Sequence, residues 1–509
     1  MDTGLITPER TKTIPELVRA MAAAYGQREA VVLGDEALTY EDLDLRSARL
    51  ARGLLGRGVG KGNRIGMLFG NGPRWVVWWA AISRIGAIAV PLSTFARFAE
   101  LARTISHADL HGVVFQQTHL KRDFVTELER AIPSLAESSP ELRLTTAPFL
   151  RWAVVVRGEQ PRWARSTEWL NEQAVPDELF RASESEVHVD DPAIMIYTSG
   201  TSSTPKGIVH TQGTVVQKTH YLRKMLGYHA ESEHVAASPF FWVGGLVMSL
   251  FTGMEAGGRV TCHDTSTRRT TVPIGSSSKR SWTVAPNAVA TPALGMTETF
   301  GMYSWGWQLR ADGYPVCAPL DEFEPGYTVE VVDEAGRPAA DGEIGEIIIR
   351  GPTLTRQLVK VARSNTFTQD GFYRTGDRGL RDGSRIHFVG RLTDMIKTSG
   401  ANVAPPEVEQ ELLQVDGVAA AYVTGVDDPE RDQEVVAAIV LEDDVQLSGE
   451  AVRAMLGDRL SSYKVPRRIA ILSDADIPLT AASKVNRASL GALINERVPR
   501  FSSAPGARS

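Results

Sequence analysis

The sequence predicts an α/β protein: a large N-terminal domain of parallel α/β sheets carrying a β-rich subdomain, followed by a small C-terminal α+β domain. Three observations predict it. Helix-like and strand-like segments alternate through the first half, a β-branched, turn-rich stretch begins near residue 327, and a compact αβ segment follows Gly390 and Arg391.

The elements follow in order. Residues 40–55 (Y-E-D-L-D-L-R-S-A-R-L-A-R-G-L-L) space their leucines as an amphipathic helix does, and residues 64–69 (R-I-G-M-L-F) read as a short buried strand. Such alternation argues a parallel sheet. Between them lies G-R-G-V-G-K-G, residues 56–62, whose spacing fails the dinucleotide pattern G-x-G-x-x-G and whose glycines follow a helix instead of a strand. It is read as helix termination and a turn, with no ligand. Residues 193–196 (A-I-M-I) form an apolar strand that runs into a polar loop. Residues 327–332 and 346–350 alternate or run β-branched, separated by turn chemistry in D-E-A-G-R-P-A-A-D-G-E-I-G. The last unit, about a hundred residues, holds a helix-like stretch at 406–413 and a strand-like one at 435–441. The boundary is placed near Leu392, giving domains 1–391 and 392–509.

Composition narrows the function. A chain of 509 residues exceeds one ordinary domain and can bury a large site. With 55 Lys+Arg against 61 Asp+Glu and no long basic run, the electrostatic footprint of a nucleic-acid binder is missing. Two cysteines, Cys262 and Cys317, are too few for a disulfide framework or a cysteine-based zinc site, so the cytoplasm is the expected compartment. The N-terminus has no apolar core after a basic start, and the apolar stretch 76–92 is broken by Ser83, Arg84 and Pro91. Neither a secretion signal nor an integral membrane segment is expected.

Residues 197–207 (Y-T-S-G-T-S-S-T-P-K-G) are built to hold phosphate. Gly200 lets the backbone approach a ligand; Thr198, Ser199, Thr201, Ser202, Ser203 and Thr204 offer hydroxyl donors; Lys206 adds a mobile positive charge. A Walker A loop is excluded, because Pro205 precedes the lysine and Gly207 follows it.

Four more segments join this loop: Gly295-Met296-Thr297-Glu298-Thr299, Tyr373-Arg374-Thr375-Gly376-Asp377, the run from Gly390 and Arg391 through Lys397 to Gly400, and P-L-T-A-A-S-K-V-N-R ending around Lys484. In this order, together with Leu38-Thr39-Tyr40, Ala87-Ile88-Ala89-Val90-Pro91-Leu92 and Ser462-Tyr463-Lys464-Val465-Pro466, they resemble the adenylate-forming superfamily of acyl-CoA synthetases, peptide-synthetase adenylation domains and beetle luciferases. The resemblance implies ATP, Mg2+ and CoA as cofactors. It implies that residues Thr198 to Lys206 hold the β- and γ-phosphates, that Thr297 lies near the α-phosphate, and that Glu298 holds magnesium, a hard cation suited to oxygen ligands. Asp377 would accept from the ribose hydroxyls, with Arg391 nearby, and Lys397 joins the nucleotide-binding set. Lys484 would bridge the acyl carboxylate and the α-phosphate when the small domain closes. That mobile domain then rotates, withdrawing Lys484 and presenting Ser399, Gly400 and Ala401 to the pantetheine tunnel, with Thr393 at the hinge.

Pro239-Phe240-Phe241-Trp242-Val243-Gly244-Gly245 matches the segment that gates the acyl pocket, with Trp242 at the gating position. This resembles fatty acyl-CoA ligases, so fatty or other apolar carboxylic acids are the expected substrates, with CoA or an acyl carrier protein as acceptor. The interval from Trp242 to Thr297 is several dozen residues shorter than the family's, residues 263–294 have a loop-like composition, and Leu294 stands where a tyrosine commonly stacks on adenine. A rebuilt short pocket, or a relative that binds nucleotide without turnover, follows from that interval.

Overall fold

The computed structural model describes residues 12–198, 206–236, 238–263, 294–304, 316–319, 323–391, 395–442, 445–478 and 485–498. The alternation in the first half becomes a seven-stranded sheet ordered Lys206–Thr211, Pro192–Thr198, Ile88–Pro91, Arg64–Leu68, Gly112–Gln116, Trp152–Arg157 and Arg165–Ser166. All neighbouring pairs are parallel except the first, where the chain returns in a hairpin. Strands buried on both faces need apolar residues throughout, which is why Ile88–Pro91 and the centre of Pro192–Thr198 show no polar alternation.

The helix expected at 40–55 spans Tyr40–Gly56, opened by Thr39, whose side chain accepts from the Asp42 amide. Glycines 58 and 62 take positive φ in the turn that follows, as expected of a helix termination and turn. Helix Pro73–Arg84 is apolar on nearly every face and buried accordingly, with Trp75 and Trp79 in the core. No helix among the described residues is long and apolar enough to cross a membrane. A second sheet, ordered Glu233–Ala236, Arg259–Cys262, Glu29–Leu33 and Glu36–Thr39, packs beside the first.

The β-rich part is a five-stranded antiparallel sheet ordered Val316–Pro319, Arg385–Arg391, Tyr373–Asp382, Ile344–Arg350 and Thr328–Val332. Its last strand in sequence ends at Arg391, and the next described strand, Ile396–Thr398, belongs to a different sheet. That C-terminal sheet is centred on Asp432–Leu441, which starts three residues before the expected 435 because Gln433 and Glu434 continue the pairing with Val426 and Asp427. Helix Pro405–Leu412 starts one residue early, its prolines suiting the first turn, where amide donors are unneeded. Two apolar clusters cover the two faces of this sheet.

Candidate active site

Thr198 and Lys206 are cross-strand partners at the mouth of the Pro192–Thr198/Lys206–Thr211 hairpin, so the ends of the expected phosphate loop are held by a regular ladder. Gly207 packs closely there: a Cβ would come to 3.0 Å from the Val359 side chain and 3.1 Å from the Tyr197 ring, so either neighbour would have to shift by a few tenths of an ångström. Tyr197 shares a 2.9 Å hydrogen bond with His107 Nδ1, and burial raises its phenol above the ordinary value. Ser199, Gly200, Thr201, Ser202, Ser203 and Thr204 lie outside the described residues, as do Thr393, Lys484 and residues 264–293.

Thr297 and Glu298 sit in a single 3-10 turn between two short antiparallel strands, Gly295–Met296 and Gly301–Met302. The turn is tied down from several sides. The buried His210 meets the Thr297 carbonyl at 2.7 Å through Nε2, and an oxygen acceptor requires the hydrogen on that nitrogen. Burial pushes His210 down to about 3, so the ring is neutral. It also packs against Phe300, with centroids 4.6 Å apart. The Thr355 amide donates to the Glu298 carbonyl at 2.7 Å, and the Tyr373 phenol donates to Glu298 Oε1 at 2.9 Å. Farther along, Lys218, fully buried on helix Gln212–Leu226, donates to the Met302 carbonyl at 2.9 Å and to the Glu324 carboxylate. Asp377, 3 % exposed, lies opposite Arg391 in the ladder between Tyr373–Asp382 and Arg385–Arg391, and its amide donates to Thr375 Oγ1.

A cavity of about 350 Å3 brings Thr198 and Thr297 together, while Lys206, Glu298 and Asp377 are not among its lining residues. Thr198 and Thr297 line it, with Phe241, Trp242, Gly244 and Met248 on another side and Gly400, Ala401 and Asn402 from the C-terminal unit. The aromatic segment is pinned by Asn71, which takes the Phe240 amide at 2.8 Å and donates to the Ser238 carbonyl at 2.9 Å. Trp242 belongs to an edge-to-face cluster with Phe95, Phe241 and Tyr463, centroids 5.3–6.3 Å apart. Ser399 and Gly400 form the positive-φ turn between Ile396–Thr398 and Ala401–Val403. Gly400 and Ala401 reach the cavity lining; Ser399 and Lys397 are exposed and lie outside it.

The C-terminal unit is docked through charge. Glu100, on helix Phe98–His107, receives Lys464 Nζ at 2.6 Å and both the amide and hydroxyl of Ser461 at 2.8 Å. Lys464 also bonds Glu407 at 2.7 Å. Arg103 and Arg459 both pair with Glu411. Burial alone would raise Glu100, but the Lys464 charge and the hydrogen bonds from Lys464, the Arg97 amide and Ser461 outweigh it and hold the carboxyl below its usual range. Sequence reasoning assigned no role to Glu100, Phe95, His210 or Tyr373. The one available signal was their neighbourhood: Tyr373 opens the Tyr373–Asp377 motif, and Lys464 stands in Ser462–Pro466.

The sequence model of the family described as AMP-binding enzyme matches residues 18–288, and that of the AMP-binding enzyme C-terminal domain matches residues 407–484. Sulfoacetate–CoA ligase from Cupriavidus necator is 26% identical over 95% of this chain and 98% of its own. Feruloyl-CoA synthase from an Amycolatopsis species is 26% identical over 90% of this chain and 94% of its own. Among solved structures, the o-succinylbenzoate CoA synthetase of Bacillus subtilis superposes with a TM-score of 0.71 at 21% identity, covering 93% of this chain and 98% of that one. Its likeness extends the match in fold across both the large N-terminal part and the C-terminal unit. The chain belongs to the AMP-binding enzyme family, within the adenylate-forming superfamily of acyl-CoA synthetases.

Proposed function

We propose that this protein activates a carboxylic acid with ATP and passes the acyl group to CoA. In the first step a carboxylate oxygen bonds to the α-phosphorus, the bond from that phosphorus to the bridging oxygen breaks, and pyrophosphate leaves. In the second the CoA sulfur bonds to the acyl carbon, AMP leaves, and the thiol proton is released. The single observation that carries this reading is the shared cavity, where Thr198, Thr297, the Phe241–Gly245 wall and the Gly400–Asn402 hairpin converge. The relatives named above as CoA ligases and synthases support the same class of reaction.

Each residue has a task in this scheme. Thr198, the loop 199–205 and Lys206 would grip the leaving phosphates, and Thr297 would donate to oxygen on the α-phosphorus, both countering charge that grows in the transition state. Glu298 would hold magnesium. Among the described residues no cluster of three or more metal-ligating side chains exists, which fits a cation held by one carboxylate together with substrate phosphates instead of a protein cage. When bound, the ion neutralises phosphate charge. Asp377 and Arg391, placed opposite each other, would hold the ribose. Lys484 would bridge the acid and the α-phosphate. Ser399, Gly400 and Ala401 would border the path of the thiol, with Lys397 on the same hairpin in the nucleotide-binding set. The docked position of that hairpin suits the second step.

The acid is proposed to be fatty or otherwise apolar, supported by Phe241, Trp242 and Met248 on the cavity wall. A domain boundary between 391 and 392 is supported by the change of sheet there, and a cytoplasmic setting by the two cysteines. The test is pyrophosphate exchange across a panel of carboxylic acids, followed by mass detection of the thioester with CoA or with holo-carrier protein. Exchange with apolar acids and a CoA thioester are expected; silence with every acid, from folded protein, refutes the reading. Lys484→Ala is expected to slow exchange by orders of magnitude while sparing thioester formation from supplied acyl-adenylate.

A further inference from the structure

We infer that Tyr373 is a positioning residue for the carboxylate of Glu298, an inference that rests on the reading of Glu298 proposed above. The phenol oxygen lies 2.9 Å from Glu298 Oε1, and among the described residues it is the one hydrogen-bond donor to that carboxylate. Both ends of the bond are immobilised. Tyr373 is 4 % exposed, packed edge-on against Phe367 with centroids 5.3 Å apart, and begins a strand paired to Ile349. Glu298 is fixed at its own carbonyl by the Thr355 amide and at the preceding carbonyl by His210.

A carboxylate on a two-methylene stem has several rotamers, so a fixed backbone alone leaves its oxygens undetermined. One donor from a rigid ring restricts that freedom by holding Oε1, so the carboxylate would be kept in one orientation for a cation bound there. Hydrogen bonds of this kind to metal-holding groups orient them, and their loss commonly weakens metal binding about 10–100-fold. The sequence distance of 75 residues between the partners kept the pairing invisible before folding.

The test is Tyr373→Phe, which deletes one oxygen from a buried ring and leaves the packing intact. ATP binding is measured by calorimetry across a Mg2+ titration, in parallel with pyrophosphate exchange and the thermal midpoint. The expected result is a half-saturating Mg2+ concentration raised about 10-fold or more, exchange restored at high Mg2+, and a thermal midpoint close to that of the unaltered protein. An unchanged Mg2+ dependence, or a loss of exchange that no Mg2+ concentration repairs, overturns the inference and leaves the proposed function standing. Absence of Mg2+-dependent ATP binding by the unaltered protein overturns both.

Discussion

Lys218→Met probes the interior charge pair that braces the site. Lys218 is fully buried, its side chain 0% exposed against 3% for Glu324, and its ammonium serves both that carboxylate and the Met302 carbonyl. Burial pulls Lys218 below its ordinary value and pushes Glu324 above its own, each opposed by the partner's charge. Removing the ammonium leaves Glu324 with Thr353 Oγ1, at 3.2 Å, as its described side-chain donor. Breaking such a pair costs about 3–5 kcal/mol, a fall of roughly 4–6 °C in the melting temperature of the N-terminal part. The loss has a signature in pH. With its folded value raised above the unfolded one, Glu324 binds protons more readily in the folded state, so the deficit of Lys218→Met shrinks as pH falls toward the ordinary carboxylate value and grows as pH rises. Replacing both partners, Lys218→Met with Glu324→Leu, removes the stranded charge and restores most of the stability. Differential scanning calorimetry of the three variants between about pH 5 and 8 reads all of this. A double variant as unstable as the single one, or a single-variant deficit independent of pH, refutes the reasoning.

Two further outcomes follow from the same structure. His210, held at about 3 in the folded protein against 6.5 when unfolded, favours the folded state above pH 6.5, and that contribution is lost as pH falls from 6.5 toward 3, by up to roughly 5 kcal/mol; His210→Leu should flatten the stability slope in that window relative to the unaltered protein, and parallel slopes would contradict the burial argument. Lys464→Met strands Glu100 and Glu407 between the N- and C-terminal units, each 8–9% exposed at its side chain, so docking should weaken by about 3–5 kcal/mol; small-angle scattering should show a larger radius and trypsin faster release of the C-terminal unit, and unchanged scattering and cleavage would count against it.

What could be read from the chain is what neighbouring residues decide. The burial of Ala193 to Ile196, the helix opened at Thr39 and the turn at residues 56–62 follow from local periodicity and backbone preference, and they stand where expected. That this part is β-rich was legible from β-branched runs separated by turn residues, while its antiparallel order came from the structure. Motif order pointed to ATP chemistry through its resemblance to the adenylate-forming superfamily, whose reaction needs hydroxyls, a carboxylate and cations. Pairings across long loops were not legible, since nothing in a local pattern specifies which distant residue completes a hydrogen bond. Glu100 and Lys464 are 364 residues apart in sequence, yet they meet at 2.6 Å.

The sequence by itself determined the class of fold, the alternation that makes its sheets, and the residue types proposed above to grip phosphate and a divalent cation. Only the tertiary structure decided that Thr198, Thr297, Trp242 and Ala401 face one cavity, that Trp242 packs on Tyr463 of the C-terminal unit, and that His210, Tyr373 and Lys218 brace the Thr297–Glu298 turn. The physical reason is that secondary structure is set by interactions a few residues long, whereas a site is set by burial, where every polar group brought out of water must find its partner wherever the chain places one.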